Sequence, residues 1–136
     1  MKKFLIVLFA AIVLIGCNQK SREMGDEQAG KTLVGWYYYN LMENEINSLP
    51  KYLDEDFDKN VSQSDFFNQL KSRTEQYGPV EKAVLKDWKM VDTDKKQKIK
   101  KYEFTYDVKY EKGSSAVEKF YLIKRGDDLK IAKVEF

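Results

Sequence analysis

Chemistry in this 136-residue chain has to be done without histidine, and its single cysteine is Cys17. That excludes Ser-His-Asp and Cys-His nucleophile systems, intrachain disulfides and imidazole metal sites. Carboxylates, tyrosines and lysines are left. Asp54, Glu55, Asp56 and Asp58 form an acidic cluster of the kind that holds hard cations through carboxylate oxygens. The cluster lacks the glycine turn and ligand spacing of an EF-hand, so a solvated helix end is the plainer account. No metal and no cofactor are expected. The densest basic run contains Lys95, Lys96, Lys98, Lys100 and Lys101. Facing anionic lipid or cell-wall polymer, each such lysine would contribute about 1 kcal/mol. Lysines also guard exposed loops and strand edges against unwanted pairing, and that role alone would account for the run.

The overall charge argues against nucleic acid as a partner. The formal net charge of +2 is accounted for by Lys2 and Lys3, because the remaining 22 Lys and Arg balance 22 Asp and Glu. Phosphate binding needs a clear basic excess. The balance is nevertheless uneven: Cys17 to Val80 carries 7 basic and 11 acidic residues, and Glu81 to Phe136 carries 15 and 11.

The chain opens Met1-Lys2-Lys3, runs apolar from Phe4 to Ile15 and closes with Gly16-Cys17. A basic start, an apolar segment and a small residue before the cut are the parts of a secretory signal. About 12 apolar residues at 1.5 Å each give roughly 18 Å, too short for a hydrocarbon core of about 30 Å. Leu14-Ile15-Gly16-Cys17 resembles the lipobox of bacterial lipoproteins. The resemblance implies that residues 1–16 are removed and that Cys17 carries a thioether-linked diacylglyceryl group, with further acylation of its amine. Two or three chains give a stable membrane attachment. Asn18 after the cysteine implies the outer membrane, facing the periplasm, in a Gram-negative cell; otherwise the outer face of the cytoplasmic membrane is implied.

About 120 residues follow the cut, enough for one domain with a real core. Residues 17–30 are polar and read as the lipidated cysteine and a tether, leaving 31–136 as the domain. A long helix is expected from about Asp26 to Asn44, with Asp26 as N-cap and Val34, Tyr38, Leu41, Met42 and Glu45 on one stripe. Trp36-Tyr37-Tyr38-Tyr39 makes it apolar nearly all round, so cover on more than one side is expected. Ser48 and Pro50 start a short helix. Ser62 to Asp65 resembles a capping box before a helix that Gly78-Pro79 stops. Beyond Pro79 the period becomes two: Lys82–Val91, Lys101–Tyr110, Val117–Lys124 and Leu129–Phe136 read as antiparallel strands joined by turns.

One long, one short and one medium helix before four antiparallel strands give an α+β chain. The order resembles the cystatin-like folds related to nuclear transport factor 2, in which a curved sheet wraps the first helix. Tyr52 to Phe57, and Phe66, Leu70, Arg73, Gly78 and Val80 leading into the first strand, carry the likeness. It implies a cone between sheet and helices. Trp36, Tyr38 and Phe67 from the helices, with Trp88, Phe104, Tyr106 and Phe120 from the strands, would line a pocket for a small apolar ligand or simply fill the core. Relatives such as ketosteroid isomerase set an Asp and a Tyr in that cone, so an isomerase- or hydratase-like enzyme is one expectation. Here Asp107 and Tyr106 are neighbours on a strand and point to opposite faces. The leading expectation is a non-catalytic binding domain with a protein partner in the cell envelope.

Overall fold

Alternating side chains after Pro79 build a four-stranded antiparallel meander in the order β1-β2-β3-β4: β1 Val80–Asp94, β2 Ile99–Tyr110, β3 Ser115–Arg125 and β4 Asp128–Glu135. A computed structural model describes residues 18–136, with side-chain surroundings from Gly25 onward. The expected signal segment, residues 1–16, and Cys17 lie outside the described residues. In β2 the alternation is strict: Tyr102, Phe104, Tyr106, Val108 and Tyr110 are all buried, and their odd-numbered neighbours face outward. Each such side chain contributes about 1.5–3 kcal/mol by leaving water. Register shifts at Val80/Lys82, Leu85/Asp87 and Met90/Asp92 in β1, and at Ala132 in β4 opposite Tyr121/Leu122, mark bulges. Bulges bend a strand and increase its twist, which lets the sheet curve around a helix.

That helix, α1, spans Asn18–Met42. It corrects the expected tether. The helix begins before Asp26, and Asp26 and Gly30 are both buried against the sheet, so residues 26–30 belong to the folded domain. A Cβ at Gly30 would overlap the ring of Phe104, which explains a glycine within a helix despite its unfavourable propensity. Asp26 is correspondingly not an N-cap; its carboxylate bonds to the sheet across the core rather than to the next turn of its own helix. At the other end Asn44 adopts φ 56°. The Glu45 N–H donates to the Asn40 carbonyl at 2.8 Å and the Asn44 N–H to Leu41 at 3.2 Å. This pair of bonds around a left-handed residue closes the helix C-terminus.

A 3-10 helix, Ile46–Tyr52, is followed by a single-turn helix α2, Phe57–Asn60, which the sequence reading lacked. The next helix, α3, spans Gln63–Tyr77, where the Ser62 hydroxyl accepts from the Asp65 N–H at 3.1 Å and Gly78 caps the end at φ 79°. The capping and stop residues therefore act as expected. Helices and sheet enclose one aromatic core, with Tyr37, Tyr38, Phe57, Phe66, Phe104 and Phe120 deep inside it.

Candidate functional site

Residues Glu118, Phe120 and Leu122 share the inward phase of β3, and the first is a carboxylate only 1% exposed. An ion taken that far from water needs partners. The Tyr38 hydroxyl donates to Oε1 at 2.7 Å, and the Tyr110 hydroxyl and Arg73 Nη2 both donate to Oε2, the latter at 3.2 Å. Arg73 Nη2 also donates to the Tyr110 hydroxyl oxygen at 3.1 Å. The guanidinium lies 4.2 Å from the ring centroid of Phe136, a cation-π contact that offsets part of its desolvation. One carboxylate thus joins α1, α3, β2 and β3. Burial, and then the Glu118 charge, push the Tyr38 and Tyr37 hydroxyls far above their ordinary value, so both stay protonated. Burial and the Glu118 bond push Tyr110 up to about 12. The Tyr37 hydroxyl and Arg73 Nε, both buried, have no hydrogen-bond partner among the described residues.

A second buried carboxylate sits nearer the start of α1. Asp26 accepts from the Tyr102 hydroxyl and from Lys124 Nζ at 2.6 Å, with Lys100 Nζ 3.9 Å away. Burial is the largest influence and opposes ionisation, yet the Lys124 and Tyr102 bonds outweigh it and hold the carboxyl below its ordinary value.

The acidic cluster after the 3-10 helix is occupied by a side chain from β3. Arg125 forks onto Asp54 at 3.1 and 3.2 Å and reaches Asp56 at 2.9 Å and Glu55 at 3.7 Å. Asp54 is buried, whereas Glu55 and Asp58 are exposed. The cluster is a clamp between the helical segment and the sheet.

The residues proposed for a cone separate into two groups. Tyr38, Phe104, Tyr106 and Phe120 meet inside, with the Phe120 ring 5.5 Å from Tyr38 and 5.7 Å from Tyr106 between centroids. Trp88 is half-buried over Phe104 at 5.8 Å, and Phe67 packs at the margin against Phe66 at 6.0 Å. Trp36 does not join them: it is 50% exposed on the opposite side of α1. Tyr39 is 51% and Met42 42% exposed beside it, and Trp36 and Tyr39 meet edge to face at 5.6 Å. The sheet and the 3-10 helix cover α1 on more than one side, as expected, but the face carrying Trp36, Tyr39 and Met42 stays open, because a 3.6-residue period turns it away from both. Between this face and β1 runs a groove of about 320 Å³ lined by Lys31, Gly35, Tyr39, Met42, Ala83 and Leu85, with Tyr38 and Tyr106 at its floor. Asp107 and Tyr106 lie apart, Asp107 exposed on the outer sheet face beside Val84 and Val117.

The lysine run forms the β1–β2 hairpin. Lys95, Lys96, Lys98 and Lys101 are exposed, and Lys100 turns toward Asp26. Asp94 Oδ1 accepts from the backbone N–H groups of Lys96 and Gln97, which fixes the turn.

Sequence reasoning missed Glu118, Arg73 and Asp26 as a set. A signal existed for the first two: Glu118 occupies an apolar phase of its strand, and Arg73 falls on the same helix face as Phe66, Leu70 and Tyr77. Nothing local marks Asp26, whose partners lie more than 70 residues away.

No family model matches the chain, and no curated protein matches it in sequence. In three dimensions it is similar to a Campylobacter jejuni protein provisionally described as an NTF2-like transpeptidase, with TM-score 0.50 and 12% identity over 78% of this chain and 95% of that one. The likeness is one of fold. The chain has an NTF2-like α+β architecture, as its order of elements led us to expect.

Proposed function

We propose that this chain is a membrane-anchored lipoprotein of the cell envelope whose NTF2-like domain is a non-catalytic module binding a protein partner through the outer face of α1. The observation that carries this reading is the exposure of Trp36, Tyr39 and Met42 on a helix whose other face is core. Aromatic residues and Met are enriched at protein interfaces, and Tyr and Trp bury large areas there at small entropic cost. The adjoining groove receives an apolar side chain of the partner, and Lys31 at its edge favours an acidic neighbour on that partner. The NTF2-like fold is compatible with such a role.

The interior supports the same reading from the other side. A general base must come within hydrogen-bond reach of its substrate, whereas Glu118 is 1% exposed and enclosed by Tyr38, Tyr110 and Arg73. At 12% identity the likeness to the structural neighbour is one of fold, so its described activity is not carried over. A carrier of a small apolar ligand is the weaker alternative, since Tyr37, Tyr38 and Tyr106 already close on Phe120.

Two measurements test the proposal. Cys17→Ala should abolish incorporation of labelled fatty acid; persisting label contradicts the anchor. A photo-crosslinking side chain at Tyr39 should give a discrete protein adduct in intact cells, and the same group at Glu111, in the β2–β3 turn, should not. Equal adducts from both positions contradict the docking face.

A further inference from the structure

We infer that the linked tips of the β1–β2 and β3–β4 hairpins face the bilayer, and that the exposed lysines of the β1–β2 tip contact anionic phospholipid headgroups. The inference rests on the Cys17 anchor proposed above. Its geometry comes from the direction of α1. Asp26 meets Tyr102 and Lys124, Gly30 meets Phe104, and Tyr38 meets Tyr106, so α1 runs alongside β2 in the same direction. From Asp26 back to Asn18 the helix rises about 12 Å, and from Tyr102 back to Ile99 the strand covers about 10 Å. The residue that follows Cys17 and the hairpin tip therefore lie at one end of the domain. The β2–β3 turn at Glu111 to Ser114 lies at the other.

Three properties suit that end to an anionic surface. First, Asp92 to Lys101 carries five lysines against two aspartates, and both aspartates accept backbone bonds of the turn. Second, the two hairpins form one surface: the Gly126 N–H donates to the Lys98 carbonyl at 2.9 Å. Between them Lys95, Lys98, Lys100 and Lys124, together with Asp94 and Asp127, line a cup of about 460 Å³. Third, Lys98 holds φ 56°, a left-handed conformation for which glycine or asparagine is the ordinary occupant. A lysine there presents a cation at the expense of backbone strain. Charges held within a Debye length of the surface are the ones that feel its potential.

The test uses the full acylated chain in phosphatidylcholine vesicles with and without phosphatidylglycerol. A donor fluorophore is placed on Gln97→Cys at the tip or on Glu111→Cys at the far end, with an acceptor on the lipid headgroups. The inference predicts stronger energy transfer from position 97 than from 111, a further rise with phosphatidylglycerol, and loss of that rise at high salt. Replacing Lys95, Lys96 and Lys98 by Gln should return transfer from position 97 to its level on neutral vesicles while acylation persists. Lys98→Gly should raise the melting temperature and still weaken the phosphatidylglycerol response. Equal transfer from 97 and 111 in an acylated chain overturns this inference alone. So does transfer from 97 that ignores both phosphatidylglycerol and the lysine changes, because the anchor would then set orientation without them. A chain that carries no acyl group overturns the anchor and this inference together.

Discussion

Within four residues of α1, Trp36 and Tyr39 point outward while Tyr37 and Tyr38 are buried. Successive positions on a helix turn by 100°, so one aromatic run serves two surfaces. The inner pair is fixed by what it touches: Tyr37 and Tyr38 pack edge-on to Phe120, and Tyr38 donates to Glu118. Trp36 and Tyr39 meet each other edge to face, and Tyr39 also lines the groove beside β1. Large aromatics in the core serve stability. Large aromatics left half in water on the same helix cost solubility without helping the fold, and the proposed binding partner would account for them.

The sharpest break of the inner side is Glu118→Ala, which strands Arg73 and two tyrosine hydroxyls in the core. Removing one partner of a buried ion pair costs about 3–5 kcal/mol, measurable by urea unfolding. Tyr38→Phe removes one charge-assisted bond from that network and should cost about 1.5–3 kcal/mol in the same assay. The glycines of α1 extend the contrast. Gly30→Ala forces a methyl into Phe104 and should destabilise by about 1–3 kcal/mol. Gly35 has open space around it, so Gly35→Ala should stabilise by about 0.4–1 kcal/mol through the unfolded chain. Trp36→Ala, on the outer side, should change stability by no more than about 0.5 kcal/mol. A loss from Trp36→Ala as large as that from Tyr38→Phe would erase the distinction between the two faces.

Titration separates the two ends of the core. Asp26 is held below its ordinary value of 3.8, so its contribution is present above that pH and is lost as pH falls further. Tyr106 and Tyr110 are pushed from 10.0 up to about 12, Tyr106 by burial and Tyr110 by burial and Glu118. Their contribution is present below pH 10 and is lost as pH rises through about 12. Asp26→Asn should flatten the acid limb of a stability profile and leave the alkaline limb unchanged.

Much of this fold was legible because it rests on local rules. Alternation exposes the inward row of β2, Ser62 caps α3, and Gly78 ends it, each within a few residues of its cause. The α+β order and four-stranded meander follow from those signals. What escaped depends on distant partners. Residues 18–30 read as a tether because they carry few large apolar side chains, but Gly30 docks by being small and Asp26 by pairing with Tyr102 and Lys124. Arg125 fills the acidic cluster from β3, about 70 residues along the chain. The outer placement of Trp36 is set by which side of α1 the sheet covers, and hydrophobicity alone does not encode that when both sides are aromatic.

The central claim is that the domain works through the outside of α1 and not through its buried carboxylate. It is tested most directly by the Tyr39 photo-crosslink in intact cells, repeated in two backgrounds at matched levels of folded protein. The account predicts that the adduct persists with Glu118→Gln and disappears with Trp36→Ala. An adduct that survives Trp36→Ala and is lost with Glu118→Gln would contradict it.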